Sequence, residues 1–295
     1  MEQSPMHVHD LVIPEASFGS HSLEPAIMAR CWCGDAAPRF IVGIVHGMGE
    51  HVQRYEHVAE YFVSQGATAV AIDQRGHGRT GGSLPHFDVL VSDIGRLEAY
   101  LHRSYPGVPV FLYGQSLGGS IVVNYALKTK NQLAGVISMS PLLRTTFPPP
   151  AWKLTVAKLL GKWWPGFTLS TAIKPKELSR DPQSVAAYVH DPMVHQSVSA
   201  VLGLSMLEAG QWAVDHASDL KTPLLLMHGT EDRITSHAAS KEFASRSNDC
   251  CRWVEWPGLY HDMHCEPERQ EVFQEISRFI DSLIVSVASP AALQE

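Results

Sequence analysis

Val110-Phe-Leu-Tyr-Gly114-Gln115-Ser116-Leu117-Gly118-Gly119 is the stretch on which the fold turns. A short apolar run of buried-strand type leads into Leu117–Lys128, whose apolar positions recur with a helical period. A serine between a buried strand and a helix must turn sharply to expose its hydroxyl. Glycines two residues before and after it leave room for that turn and for close packing of helix on strand. The bare Gly-x-Ser-x-Gly pattern arises by chance in about one chain in ten. Its place between strand and helix therefore carries the weight, against the alternative of a glycine-rich turn with a structural serine.

Outward from this turn, short apolar runs alternate with amphipathic stretches, the rhythm of an α/β protein. The pattern predicts strands at Ala26–Trp32, Phe40–Val45, Ala67–Ile72, Val108–Leu112, Leu133–Met139, Pro223–Met227 and Arg252–Trp256. Several are nearly unbroken Val, Ile, Leu and Phe, as expected where helices cover both faces of a parallel sheet. Helices are predicted at Tyr55–Ser64, Val89–Ser104, Leu117–Lys128, Ala238–Arg246 and Gln270–Ile284. From about Leu143 to Asp215 no strand is expected, and Pro148, Pro149, Pro150 and Pro165 punctuate the segment. It reads as a helical cap. The expected division is residues 1–142 and 216–295 as the two parts of a sheet domain, with 143–215 inserted between them. The tail after Ser286 is small and polar and is expected to fray.

A serine alone is a poor nucleophile and needs a base with a group to orient it. On a sheet of this kind the acid follows the serine in sequence and the histidine follows the acid, each after a later strand. Pro223-Leu-Leu-Leu-Met-His228-Gly229-Thr230-Glu231-Asp232 ends a strand with two carboxylates. Arg252-Trp-Val-Glu-Trp256-Pro-Gly-Leu-Tyr260-His261 ends the next with a histidine. By spacing alone Glu231 competes with Asp232, and His264 with His261. The developing oxyanion needs donors, normally the backbone N–H after the nucleophile and one after an earlier strand. Leu117 supplies the first. Met48, in the turn His46-Gly47-Met48-Gly49, is expected to supply the second, with its side chain bordering the acyl site.

Taken together, these segments resemble a known family. His46-Gly47-Met48-Gly49-Glu50-His51, Arg54-Tyr55, Asp73-Gln74-Arg75-Gly76-His77-Gly78 and Gly114-Gln115-Ser116-Leu117-Gly118-Gly119 look like the monoacylglycerol lipase and lysophospholipase branch of the α/β-hydrolases. His228-Gly229-Thr230-Glu231-Asp232 and Tyr260-His261-Asp262-Met263-His264-Cys265-Glu266 match its acid and histidine segments, in order, within a likeness running from about Ala26 to Ile284. The resemblance implies the α/β-hydrolase fold: a mostly parallel sheet, helices on both faces, and a helical cap after the sixth strand. It implies Ser116, Asp232 and His261 as catalytic residues, with His264 and Glu266 in support. Gly47, Met48 and Gln115 are expected to touch substrate. Relatives often carry a smaller residue than Met48, and the cap matches only in pieces such as Asp191-Pro192-Met193.

The implied activity is hydrolysis of single-chain lipid esters, foremost monoacylglycerols, without organic cofactor or metal. Lysophospholipase, thioesterase and short-chain carboxylesterase activity on the same scaffold are alternatives, and a non-catalytic receptor is a remote one. Dehalogenase and epoxide-hydrolase chemistries are disfavoured because they place Asp at the serine's position.

Bulk properties agree. The 295 residues are 45% hydrophobic and 18% charged, enough for a sizeable core. Net charge is −7, which offers no basic field for nucleic acid. Cys31, Cys33, Cys250, Cys251 and Cys265 have neither zinc-ribbon nor redox spacing and read as reduced cytosolic thiols. No signal peptide is expected in the first thirty residues, and no stretch approaches the ~18 apolar residues of a membrane span. His46 lies upstream of the serine and reads as a turn residue rather than a base. Arg75 to Gly78 lacks the Lys-Ser/Thr of a phosphate loop and reads as structural. His261, His264 and Cys265 suggest a metal, but no other Cys/His pair stands at finger-like spacing. On a helical wheel Trp152, Val156, Leu159, Leu160 and Trp163 share a face, with Lys158 and Lys162 opposite. The first reading is a lid whose apolar face covers the sheet domain and a substrate tunnel. The second is peripheral contact with a membrane.

Overall fold

The computed structural model describes residues 5–14, 26–164, 167–171 and 173–287. Among these, an eight-stranded sheet contains β1 His7–Ile13, β2 Ile27–Cys33, β3 Phe40–Val45, β4 Ala67–Ile72, β5 Val110–Gln115 and β6 Gly135–Met139. The short strands β7 Thr168–Ser170 and β8 Ser197–Ser199 pair apart from it, and β9 Leu224–Gly229 and β10 Cys251–Trp256 complete the main sheet. The spatial order is β1-β2-β4-β3-β5-β6-β9-β10. Pairings β1–β2 and β2–β4 are antiparallel, and all pairings from β4 to β10 are parallel.

Strands β3, β4, β5, β6 and β9 are buried at every residue, which explains their unbroken apolar sequences. Their alternation sorts the side chains onto two faces. Val110, Leu112, Leu224 and Leu226 join a core covered by α2 Phe87–Ser104, α3 Leu117–Lys128 and α7 His237–Arg246. Phe111, Tyr113, Leu225 and Met227 point the other way, beneath α1 Glu56–Ser64 and α8 Arg269–Val287.

The strand order reverses at β3, whose neighbours β4 and β5 lie on opposite sides. Chains leaving the carboxyl ends of β3 and β5 therefore diverge, opening a crevice where ligands bind in such sheets. Gly47 follows β3 and Ser116 follows β5, so both stand at that crevice.

Between β6 and β9 lie α4 Ala151–Trp163, β7, α5 Pro182–His190, β8 and α6 Ala200–Asp215. The expectation of no strand here is corrected by the antiparallel β7–β8 pair, Thr168 opposite Ser199. Three-residue strands are too short to leave a period in the sequence. Helix α6 starts at Ser199, whose hydroxyl accepts from Leu202 N–H at 3.0 Å. Its Leu202, Ala209, Ala213 and Val214 join the core shared with α2 and α3. A Cβ at Gly210 would lie 2.3 Å from the Leu143 carbonyl oxygen, so glycine lets α6 close onto the chain leaving β6.

Helix α4 corrects the lid reading. Trp152, Val156, Leu159 and Trp163 are 64%, 44%, 58% and 80% exposed, while among the described side chains of the helix Ala157 is buried. A small alanine suits the close packing face, and it leaves the large residues turned outward. The Leu160 and Lys162 side chains, and the tail beyond 287, lie outside the described residues. None of the described helices is long and apolar enough to cross a membrane.

Candidate active site

Ser116 sits between β5 and α3 with φ 57° and ψ −115°, a strained conformation for a residue bearing a Cβ. The surrounding glycines explain how the chain tolerates it. A Cβ at Gly114 would meet the Gly118 carbonyl oxygen at 2.4 Å, and one at Gly118 would meet that of Val45 at 2.1 Å. Ser116 N–H donates to the Met139 carbonyl at 3.0 Å, fixing the turn against β6.

Asp232 and His261 arrive from the loops after β9 and β10. His261 Nδ1 donates to Asp232 Oδ2 at 2.7 Å, and both residues are buried. Glu231 is exposed beside them, so geometry separates the two carboxylates that spacing left equivalent. Asp232 Oδ1 also accepts from Ile234 N–H at 2.7 Å and Thr235 N–H at 3.0 Å. Its Oδ2 accepts from Thr235 Oγ1 at 2.8 Å and His228 Nε2 at 3.1 Å. Burial alone would raise this carboxyl, but the facing His261 and His228 rings hold it well below the usual carboxylate range. Burial would likewise lower His261, yet the Asp232 carboxylate outweighs it and raises the ring to about 9. The pair thus fixes the tautomer with Nε2 free to act on a hydroxyl.

The histidine loop is tied to the serine turn through Gln115. Its Nε2 donates to the His261 carbonyl at 2.9 Å and to Asp262 Oδ1 at 3.1 Å. Among the described residues no hydrogen bond joins Ser116 Oγ to the ring. Leu117 opens α3, and the first amides of a helix have no intrahelical acceptor. Met48 N–H likewise has no acceptor among the described residues, and its side chain is buried. Two unspent amides therefore flank the serine turn in sequence and across the β3–β5 crevice.

The family model described as Serine aminopeptidase, S33 matches residues 36–268. The monoacylglycerol lipase of Mycolicibacterium smegmatis is 34% identical over 87% of this chain and 93% of its own. The chain belongs to the monoacylglycerol lipase branch of the α/β-hydrolases. A crystal structure of Paleococcus ferrophilus monoacylglycerol lipase aligns with TM-score 0.77 at 29% identity, covering 95% of this chain and 99% of that one. An abhydrolase domain-containing protein of Dictyostelium discoideum is 35% identical over 86% of this chain, which spans only 28% of that longer protein. Membership makes the chain a carboxylic ester hydrolase with the α/β-hydrolase fold.

Within this lipase framework two expected substrate contacts acquire another task. Gln115 is wholly buried and its amide nitrogen is spent on the histidine loop, so its side chain positions rather than binds. Gly47 N–H faces Tyr55 Oη at 3.1 Å and Glu50 Oε2 at 3.2 Å, so it is already engaged. A Cβ at Gly47 would approach Glu50 Oε2 to 2.7 Å, which ties the residue type to the turn's own packing. Sequence reasoning reads substrate contact from nearness to the serine, and nearness does not reveal direction.

Glu50 lies at the centre of this support. It accepts from Arg54 Nε at 2.8 Å and Tyr55 Oη at 2.7 Å. Burial would raise its carboxyl, but Arg54 and Tyr55 bring it down to about 2. Among the described residues no such cation contacts Asp262. Burial and the Glu50 charge push its carboxyl upward. His46 is buried and accepts from Gln74 N–H at 3.0 Å, pinning the end of β3 to the chain after β4. Arg75 pairs with both oxygens of Asp93 at 2.7 Å, a structural use of the loop that looked like a phosphate cradle. His264 stacks between Tyr55 and His57 and contacts neither Asp232 nor the serine turn by hydrogen bond.

Thr235 and His228 are the supporting residues that sequence reasoning did not assign. His228 stood in view within the acid segment. The rule that a buried carboxylate needs several donors is the one signal that points to them.

Proposed function

We propose that this protein hydrolyses monoacylglycerols through an acyl-enzyme on Ser116. The observation that carries the proposal is the buried Asp232–His261 pair, tied through Gln115 to a strained serine turn at the sheet's switch point. Ser116 Oγ attacks the ester carbonyl while His261 Nε2 takes its proton. Asp232 holds the ring and steadies its charge. The Met48 and Leu117 amides stabilise the oxyanion. His261 then protonates the departing glycerol oxygen. Water, deprotonated by the same ring, attacks the acyl carbonyl and releases the fatty acid. The Ser116–His261 hydrogen bond forms as substrate seats, since such contacts tighten in the Michaelis complex.

The lipid substrate is supported by the M. smegmatis and P. ferrophilus relatives, both monoacylglycerol lipases. We assign 143–215 as the cap of this enzyme, with α6 docked into the core and α4 outermost. Trp152, Trp163, Trp164 and Phe147 are exposed in one stretch of sequence, and Trp and Phe favour the headgroup boundary of a bilayer. The cap therefore makes peripheral membrane contact while it collects lipid. The cytoplasm is the proposed location, which five free thiols support.

A substrate panel tests the reading. Monoacylglycerols of rising chain length should give the highest kcat/KM. Lysophosphatidylcholine, acyl-thioester, short-chain ester and aminoacyl-amide substrates should fall below them. A preference for any of these over every monoacylglycerol overturns the substrate assignment.

A further inference from the structure

The turn that follows the triad histidine carries two donors that the hydrolytic reaction does not use. His264 and Cys265 lie in the short helical turn Met263–Cys265, and α1 brings His57 against them. His57 Nε2 is 3.0 Å from His264 Nδ1. Cys265 Sγ is 3.5 Å from His264 Nδ1 and 3.9 Å from His57 Nε2. A tetrahedral zinc ion, with Zn–N of about 2.0–2.1 Å and Zn–S of about 2.3 Å, sets ligand edges of about 3.3 Å and 3.6 Å. All three observed edges fall within about half an ångström of these values. His57 Nε2 also lies 3.1 Å from the His264 carbonyl oxygen and the Cys265 thiol is within reach of Ser184, but these contacts do not account for the convergence of two nitrogens and a sulfur on one point.

We propose that His57, His264 and Cys265 form a zinc-binding site, with the fourth position open to a water. The donor set is one zinc favours, two imidazoles and a thiolate. It is closed on one side and open on the other. His264 and Cys265 are buried, and the His264 ring is held between Tyr55 and His57 at centroid distances of 5.1 and 5.2 Å. Cys265 is fixed through its carbonyl, which accepts from Ser179 Oγ at 3.1 Å. On the open side His57 and Cys265 line a cavity of about 270 Å3 with His51, Arg54, Ser184 and Asp191, a route for the hydrated ion. The Arg54 charge is met by Glu50 at 2.8 Å, so it does not stand alone against an incoming cation. Burial keeps both rings in the neutral form that ligation needs, His57 down at about 4 and His264 well below 6.5. The thiol, pushed up by burial, gives its proton to solvent when the metal binds.

The site lies beside the catalytic apparatus without belonging to it. His264 stands three positions after His261, and Tyr55 beneath His264 holds the Gly47 amide.

Equilibrium dialysis of the whole chain against buffered zinc, with metal read by mass spectrometry, tests the proposal. The wild-type protein should retain about one zinc per chain with a micromolar or tighter dissociation constant. His57→Ala and Cys265→Ser should each weaken binding roughly tenfold or more. Saturating zinc should raise Tm by about 2–4 °C in the wild type but in neither variant. The other His/Cys cluster, His9 with Cys31 and Cys33 across β1–β2, serves as the control, so Cys33→Ser should bind zinc as the wild type does. Absence of stoichiometric zinc in the wild type overturns the proposal, as does unchanged affinity in both variants. Should a variant not fold, cobalt(II)-loaded Cys33→Ser gives the reading. A thiolate-to-cobalt charge-transfer band supports the site, and its absence overturns it.

Discussion

The loops after β5, β9 and β10 and the helix α4 treat their side chains in opposite ways. Around Asp232 every lone pair is spoken for: five donors converge on one carboxylate that is 5% exposed. On α4 the described Trp152, Val156, Leu159 and Trp163 face outward, Trp163 at 80% exposure, while Ala157 is turned in. The first region holds charges in place before substrate arrives, which is what stabilising a transition state requires. The second leaves apolar surface uncovered, which costs the isolated protein stability but gives lipid something to meet. Under the proposed function, chemistry and capture are divided between a saturated site and an unsaturated one.

Breaking the saturated region should have the largest consequences. Ser116→Ala is expected to lower kcat by about 10⁴- to 10⁶-fold, measured on a soluble monoacylglycerol with KM little changed. Asp232→Asn is expected to cost about 10⁴-fold, because the ring loses its tautomer and its counter-charge. The pH profile adds a sign. Activity needs the neutral ring, and Asp232 raises His261 from 6.5 to about 9. The wild-type kcat/KM should therefore rise with pH and be lost as pH falls, its half-point above 6.5 and as high as about 9. In the Asn variant the main opposition to burial is gone and only the Asp262 and Glu50 charges still raise the ring, so the residual activity should keep its plateau to lower pH. Thr235→Val removes one donor from Asp232 and should lower kcat about tenfold while leaving KM near its wild-type value.

Breaking the unsaturated region should do less and do it selectively. Trp152→Ser with Trp163→Ser should reduce hydrolysis of vesicle-borne monoacylglycerol about three- to tenfold and leave a water-soluble short ester unaffected. Equal losses on both substrates would remove the division of labour, because α4 would then be supporting the site.

How much of this was legible in the sequence follows from what each residue's neighbours contribute. Strands β3 and β4 coincide with their predicted limits because both faces are buried and the code is simply apolar. Strand β1, His-Val-His-Asp-Leu-Val-Ile, escaped because it is an edge strand with Val8 and Val12 exposed, so alternation does not mark a buried face. The elbow is readable because its glycines fall at a fixed spacing around the serine, although Gly114 answers a local clash and Gly118 one with distant Val45. Spacing leaves Asp232 level with Glu231 and His261 with His264; the family likeness chooses Asp232 and His261, and the contact between their two loops gives the physical reason. His57 is invisible to sequence because its partner His264 lies far along the chain, whereas Thr235 stands three residues from Asp232 and spacing alone does not show that its side chain turns back to the carboxylate. For α4 the wheel identified the apolar face but not what it faces. Periodicity says that a face exists, and packing alone says whether it is covered.

The central claim is that one hydroxyl, that of Ser116, is activated by His261. The most direct test is intact-mass and peptide mapping of the protein after brief exposure to a fluorophosphonate. One adduct per chain is expected, on Ser116, formed faster as pH rises through the His261 titration and abolished by Ser116→Ala. An adduct on another residue, or no adduct on a folded protein, would contradict it.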